Sequence, residues 1–350
     1  MRRYLLFGNL PYALPILRPL QTAIRRRGGE AAWFFHGPGA QFLEAGETLL
    51  ADTDAVLAFN ADAVFIPGNW VPHFFPGVKV YVGHGFVVPG KENNFSIRGL
   101  FDIYCTRGKY DTPEFSRLAA RMRHFQVSET GWPKLDPLFD PAVQPLENAG
   151  DRPVVLYAST FTRRLTSAPY LIDTVRALSK TGRWRWLVTL HPKLPGELVR
   201  QWRALQGEFL QYVETKDAIP FLKSGDVMLC DTSSILMEFM TQLRPVVTFR
   251  NGGDVAAPHL INVLEPSEVE PAIERALSQP PELMSHVRSY AQAIHTYRDG
   301  HSSERVLDTV ESFIVGNGWA QLGPKPRNHW RKLQMRWRLN YWRSAAEPGQ

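Results

Sequence analysis

VMLCDTSSILMEF, residues 227–239, runs from four apolar residues through Asp231, Thr232, Ser233 and Ser234 into Ile235, Leu236 and Phe239, and the apolar spacing continues beyond it at Met240 and Leu243. An unbroken apolar run of that length reads as a strand buried on both faces, and the later spacing reads as a helix. A strand, a polar turn and a helix in that order form the building block of a parallel sheet with crossover helices.

The same pattern recurs along the chain. YLLFGN, AAWFFH, DAVFIPG, VKVYVGHG, FDIYCTRG and HFQVSETG form one series of candidate strands, and PVVLYAST, WRWLVTLHP, LQYVE, DVMLCDTSS and PVVTFRNGG form a second. Between them lies DPLFDPAVQPLENAGDRP, rich in Pro, Asp and Gly, which reads as a linker over about 136–153. A chain of 350 residues exceeds the usual size of one core. The expected fold is therefore α/β: two Rossmann-like, doubly wound parallel-sheet domains facing across a cleft. Their expected extents are 1–145 and 146–319, followed by a basic and aromatic tail over 320–350.

Ligands of such sheets sit at the carboxyl ends of strands, so polar residues placed there carry the functional reading. His84 stands between two glycines at the end of an apolar run, where its ring could approach a ligand closely or simply bond a loop carbonyl. His191 ends a second run and is followed by Pro192, which stops a strand ladder. Two histidines at corresponding strand ends would converge on one cleft. Asp231, Thr232, Ser233 and Ser234 fall at a helix start, where free N–H groups favour an anion such as phosphate; one cap needs only a single such residue. Glu238 lies one turn further on and either accepts from a ribose or faces water.

DGHSSERV, residues 299–306, repeats the theme: Ser302, Ser303, Glu304 and Arg305 precede the helix-spaced Val306, Leu307, Val310 and Phe313. Thr160, Arg163 and Arg164 follow the strand run of PVVLYAST and could meet phosphate oxygens, or be solvated. There is no His/Cys cluster at metal-ligand spacing and no Asp-x-Asp pair, so a metal-free phosphate site is expected.

Composition narrows the setting. Cys105 and Cys230, both inside apolar runs, offer neither a disulfide framework nor zinc spacing, which fits a reducing cytoplasm. The opening MRRYLLFGNLPYALPILRPL imitates a signal peptide, yet Gly8, Asn9, Pro11, Pro15 and Arg18 interrupt it, and it reads as strand, loop and helix. No stretch is apolar for long enough to span a bilayer. Of 40 basic and 34 acidic residues, seven basic and one acidic fall from Ala320 onward, which leaves the body formally neutral. In that tail Trp330, Leu333, Trp337 and Tyr341 share a helical face among the basic residues of 325–343. This composition suits an interfacial helix on an anionic membrane, or a helix packed back on the first domain. A neutral body without a recognisable nucleic-acid module argues against a nucleic-acid partner.

Taken in order, the motifs resemble the CDP-glycerol glycerophosphotransferase family of wall and capsule polymer synthesis. LYASTFTRR is similar to its LYAPTFR, LHP to its HP, DVMLCDTSS to its D-x-L-I-T-D-Y-S-S, and DGHSSER to its DGKSSER. GWPKLD at 131–136 is similar to its Gly-x-Pro-x-x-Asp, and GHG at 83–85 to its WHGT. Gly83, Phe86 and Thr232 stand where the family has tryptophan, threonine and tyrosine.

The resemblance implies a GT-B fold with a CDP-activated donor held by the C-terminal domain. His84 would then be the base that activates an acceptor hydroxyl, and His191 would act with it on the donor side. Thr160, Arg163, Asp231, Thr232, Ser233, Ser234, Ser302 and Ser303 would hold the donor diphosphate. Glu238, Glu304 and Arg305 would face the nucleotide, and Lys91 and Asp136 the acceptor, a saccharide or lipid-linked saccharide. Neither a cofactor nor a metal is implied. A GT-B sugar transferase is the alternative, since Glu238 with Pro245 resembles a ribose-binding pattern. A nucleotide-sugar 2-epimerase shares the architecture, but its His-Arg-x-x-Asn has no counterpart after His191. A non-catalytic subunit of a polymer-assembly complex is the third possibility.

Overall fold

A computed structural model describes residues 1–87, 95–147, 150–214, 218–251 and 257–342. Lys91 and Arg343 lie outside the described residues.

The chain forms two compact units, one of residues 1–136 with 295–350 and the other of 137–294. Among the described residues, each is built on a six-stranded sheet in which every pairing between named strands is parallel. The first contains β1 (Arg3–Gly8), β2 (Glu30–Phe35), β3 (Ala63–Ile66), β4 (Val78–Tyr81), β5 (Ile103–Thr106) and β6 (Gln126–Glu129), in the order β2-β1-β3-β4-β5-β6. The second contains β7 (Val154–Ser159), β8 (Arg185–Leu190), β9 (Leu210–Tyr212), β10 (Val227–Cys230), β11 (Val246–Phe249) and β12 (Leu260–Val263), in the order β12-β11-β10-β7-β8-β9.

These orders place a topological switch in each sheet, between β1 and β3 in the first and between β7 and β10 in the second. Chain direction through the sheet reverses there, and the loops part to leave room for a ligand. The apolar runs form strands because helices cover both faces: every residue of β7 and of β10 is buried. β12 was not among the expected strands. Its sequence LINV alternates buried Ile261 and Val263 with half-buried Leu260 and exposed Asn262 at the sheet edge, and it is too short to read as a strand by itself.

The expected boundary near 319 is replaced by one at 294, because the end of the chain returns to the first unit. The helix Ser302–Val315 buries Val306, Leu307, Val310 and Phe313 and packs on the helix Leu14–Arg26. Arg27 fastens the pair through Glu304 and through Asp308 at 2.7 Å. Further along, the helix His329–Arg338 inserts Met335 into the core cluster of the first unit beside Leu5, Phe7, Val64 and Phe101. The linker stretch is partly structured: Asp136–Phe139 is a short helix.

Candidate functional site

In the second unit the motif-bearing strand ends are neighbours, since β10, β7 and β8 lie side by side. Asp231, just past β10, is completely buried and, among the described residues, makes no ion pair; its carboxylate is satisfied by donors from the end of β7 and the loop that follows it. Ser159 Oγ donates at 2.7 Å, Thr160 N–H at 2.9 Å, Ser167 N–H at 2.9 Å and Ser167 Oγ at 3.1 Å. Charge-assisted bonds of this kind are about twice as strong as neutral ones, and they offset the cost of burying the acid. Tyr157 Oη and Thr166 Oγ1 complete the network through Ser167 and Ser159. Asp231 is thus a brace across the switch point, not the phosphate ligand expected from its place in the quartet, because its carboxylate is fully buried and both of its oxygens are occupied by Ser159, Thr160 and Ser167.

By turning its carboxylate toward β7, Asp231 leaves its own helix start uncapped. The following helix, Ile235–Met240, has no side-chain cap bond. Ser234 is exposed and Thr232 and Ser233 are half-buried; among the described residues no acceptor meets the N–H of Ser233 or Ser234. With only six residues the helix adds little dipole. What the turn offers an anion is hydroxyls and backbone N–H groups. Glu238 is buried inside this helix, so its carboxylate does not lie on a solvated face.

The braced loop carries Thr160, Phe161, Arg163 and Arg164, the last three exposed. Phe161 lies against the His191 ring, with centroids 4.3 Å apart, and Lys193 Nζ sits 5.1 Å from the Phe161 centroid. Lys193 N–H donates to His191 Nδ1 at 3.1 Å, so the neutral ring carries its proton on Nε2. Burial, then Lys193, lowers the His191 pKa. At neutral pH this imidazole is a hydrogen-bond donor without charge. One strand-end region therefore gathers His191, Thr160, two arginines and the open Ser233–Ser234 turn.

The first unit holds His84, just past β4 and exposed. Its ring bonds the backbone of Pro67, necessarily the carbonyl since proline has no N–H, and lies 6.2 Å from the Tyr12 ring. Although the residue as a whole is exposed, partial desolvation of its ring, then Arg107, lowers its pKa while the Pro67 bond raises it. The GHG turn is held from beneath by Trp132, whose Nε1 donates to the Gly83 carbonyl at 3.1 Å. Trp132 N–H in turn donates to Nε2 of the buried His295 at 2.9 Å.

GWPKLD and DGHSSER meet in this unit. Asp136 accepts from Ser302 N–H at 2.8 Å and Ser303 N–H at 2.7 Å. Gly131 has φ +79°, and a Cβ there would come within 2.5 Å of Ser302 Oγ. The expectation that the Ser302–Ser303 helix start holds donor phosphate is corrected: both serines are buried, lie in the first unit, and have their N–H groups taken by a protein carboxylate. Asp136, expected on the acceptor side, is that cap. Glu304 and Arg305 are likewise engaged structurally, Glu304 with Arg27 and Arg305 with Asp299 and with the Tyr297 ring, 3.8 Å from its centroid. Trp132, His295, Arg107 and Asp111 were missed from sequence; Arg107 is a polar residue at a strand end and was open to the same rule that selected His84.

Residues 102–254 match the family model described as CDP-Glycerol:Poly(glycerophosphate) glycerophosphotransferase. GWPKLD, LYASTFTRR, LHP and DTSS lie within this segment, and GHG and DGHSSER outside it. No curated protein matches the chain. Among solved structures, a putative UDP-N-acetylglucosamine 2-epimerase from Listeria monocytogenes is similar at 17% identity and a TM-score of 0.64, covering 89% of this chain and 96% of its own. The wall teichoic acid polymerase TagF is similar at 14% identity and TM-score 0.62, with 90% of each chain covered. A TagF variant solved with CDPG is 15% identical at TM-score 0.63, covering 90% of this chain and 89% of its own. At such identities these likenesses establish the fold, which is of the GT-B class.

Proposed function

We propose, from the resemblance to the CDP-glycerol glycerophosphotransferase family that the match over residues 102–254 carries, that this chain transfers a polyol phosphate from a CDP-activated donor to a hydroxyl of a saccharide acceptor. The observation that carries the reading is the gathering of Thr160, His191 and the Ser233–Ser234 turn at the switch point of the second sheet. The hydroxyls and N–H groups of that turn, with His191 Nε2–H, hold the donor diphosphate, and Arg163 meets its charge from the loop. His84 takes the proton of the acceptor hydroxyl. The hydroxyl oxygen forms a bond to the β-phosphorus, the bond from that phosphorus to the bridging oxygen breaks, and CMP leaves with the electron pair. Positioning and charge stabilisation supply the rate, with a neutral histidine as base.

The tail supplies the setting. The helix 329–338 is fixed to the first unit by Met335, and Tyr341 stacks on Phe74 at 4.5 Å. The opposite side leaves Trp330 84%, Trp337 70%, Trp342 56% and Leu333 46% exposed, with Arg331 beside them. An aromatic patch of this kind, in a segment rich in Lys and Arg, suits the interface of an anionic bilayer, where a lipid-linked acceptor resides. Among the described residues no helix is long and apolar enough to cross a membrane. Replacing Trp330 and Trp337 by Ala leaves Met335 in the core and is expected to reduce sedimentation with anionic vesicles at least tenfold. Unchanged sedimentation refutes the membrane reading.

A nucleotide-sugar transferase is the second reading, favoured by the likeness to the epimerase fold. Incubation with CDP-glycerol, CDP-ribitol and a panel of nucleotide sugars, followed by identification of the released nucleotide, separates the two. CMP from a CDP-polyol is expected. A nucleoside diphosphate from a sugar donor, without CMP from any CDP-polyol, overturns the proposal.

A further inference from the structure

The turn that presents His84 rests on a buried cation that the reaction as proposed does not use. Arg107 follows β5 and is 3% exposed. One edge of its guanidinium is fully committed: Nε and Nη2 meet Asp111 Oδ2 at 2.8 and 2.7 Å, and Asp111 Oδ1 also accepts from the N–H groups of Arg107 and Gly108, each at 3.0 Å. The other edge is different. Nη1 is buried and, among the described residues, has no hydrogen-bond partner. It lies against the His84 turn, since a Cβ built on Gly83 would stand 2.1 Å from it. Gly83 also has φ +75°, so handedness and space both exclude a side chain at that position. Leaving a buried charged group with an unmet donor is costly, and here the cost is carried directly beneath the candidate base.

We propose that Arg107 is a positioning residue for His84: seated where a side chain at position 83 would be, it supports the turn that presents the imidazole and opposes positive charge on the ring. The inference rests on the reading of His84 as the base, which must be neutral when the hydroxyl arrives. Among the described residues, the charged and titratable groups near the turn are Tyr12 from the turn before the helix 14–26, Tyr81 on β4 itself, Arg107 with Asp111 after β5, and His295 behind Trp132. Burial acts first to lower the His84 pKa and Arg107 second, against the Pro67 carbonyl. Asp111 is bound to the far edge of the guanidinium and Tyr81 also bonds the group, so among the described residues no carboxylate meets the edge that faces the turn.

The test uses the full chain. Arg107→Gln combined with Asp111→Asn removes the cation together with the carboxylate it would otherwise strand. Proton NMR titration of the His84 ring, assigned by its disappearance in His84→Asn, reads the coupling without any turnover. The midpoint is expected to rise by about half a pH unit or more in the double variant and to return to the wild-type value in Arg107→Lys. If the pair does not fold, Arg107→Gln alone reads the same shift. An unmoved midpoint in a folded variant overturns the proposal. The acid limb of kcat/KM is expected to move with the midpoint. A moved midpoint with an unmoved limb leaves the coupling standing and counts against His84 as the base, so the two failures are distinct.

Discussion

Two Ser-Ser pairs precede helices in this chain, and in sequence they look alike; in the folded protein they are opposites. Ser302 and Ser303 are buried, and their N–H groups are closed by Asp136. Ser233 and Ser234 stand half-buried and exposed, and the nearest acid, Asp231, is turned away to brace the loop after β7. Both carboxylates are structural, yet one fills the anion site of its helix and the other leaves a site open. A helix start that attracts anions in sequence is available to a ligand only if the fold has not already supplied the anion.

The comparison breaks most severely at Asp231. Replacing it by Ala strands several buried donors, and a loss of about 3–4 kcal/mol in unfolding free energy is expected, measurable by denaturant titration, with turnover lost as the loop after β7 releases. A stability change below about 1 kcal/mol would mean that the brace is not what holds the switch point.

Acid tests the closed pair. His295 Nε2 accepts from Trp132 N–H and so must be unprotonated, and burial pushes its pKa down to about 4. The folded state therefore binds this proton less readily than the unfolded chain, whose histidine titrates near 6.5. The associated stability is fully present above about pH 6.5 and is lost as pH falls from there toward about 4, at most about 3 kcal/mol for this residue. His73 and His259, also lowered to about 4, add to the same limb. Thermal unfolding between pH 7 and pH 4.5 should show the fall, and His295→Gln should flatten part of it.

Removing the cap is expected to cost less. Asp136→Ala should lower stability by about 1–2 kcal/mol and leave nucleotide affinity unchanged, because the Asp136 carboxylate is buried and occupied by the Ser302 and Ser303 N–H groups. The smallest effect on stability, within about 0.5 kcal/mol, is expected for Ser233→Ala with Ser234→Ala, since among the described residues these hydroxyls make no hydrogen bond.

Much of this architecture was legible beforehand. The eleven expected strand runs all fall on strands; most are apolar runs buried on both faces, which need no long-range information to be recognised, while β6 and β9 are only partly buried. β12 escaped because an edge strand with Asn262 exposed at its centre has no apolar run to read. The return of the chain at 295 was hidden for another reason: the helix 302–315 carries the same apolar spacing whichever unit it packs on, and the choice is made by Leu14–Arg26 and Arg27, some 280 residues away. Anion binding at both Ser-Ser turns followed from local chemistry, but which turn already holds a carboxylate depends on where Asp136 and Asp231 point. The tail's aromatic face divided similarly. Trp330, Leu333 and Trp337 share the exposed side as their spacing predicts, while Tyr341, past the end of the helix, folds back onto Phe74.

The most direct measurement is calorimetric titration of CDP-glycerol into the wild-type chain, into Ser233→Ala/Ser234→Ala and into Ser302→Ala/Ser303→Ala. The open turn is expected to matter, with affinity at least tenfold weaker in the first variant, a loss of about 1.4 kcal/mol, and unchanged in the second. Equal affinity in all three, or a loss confined to the Ser302/Ser303 variant, would contradict the assignment of the donor diphosphate to the switch point of the second sheet.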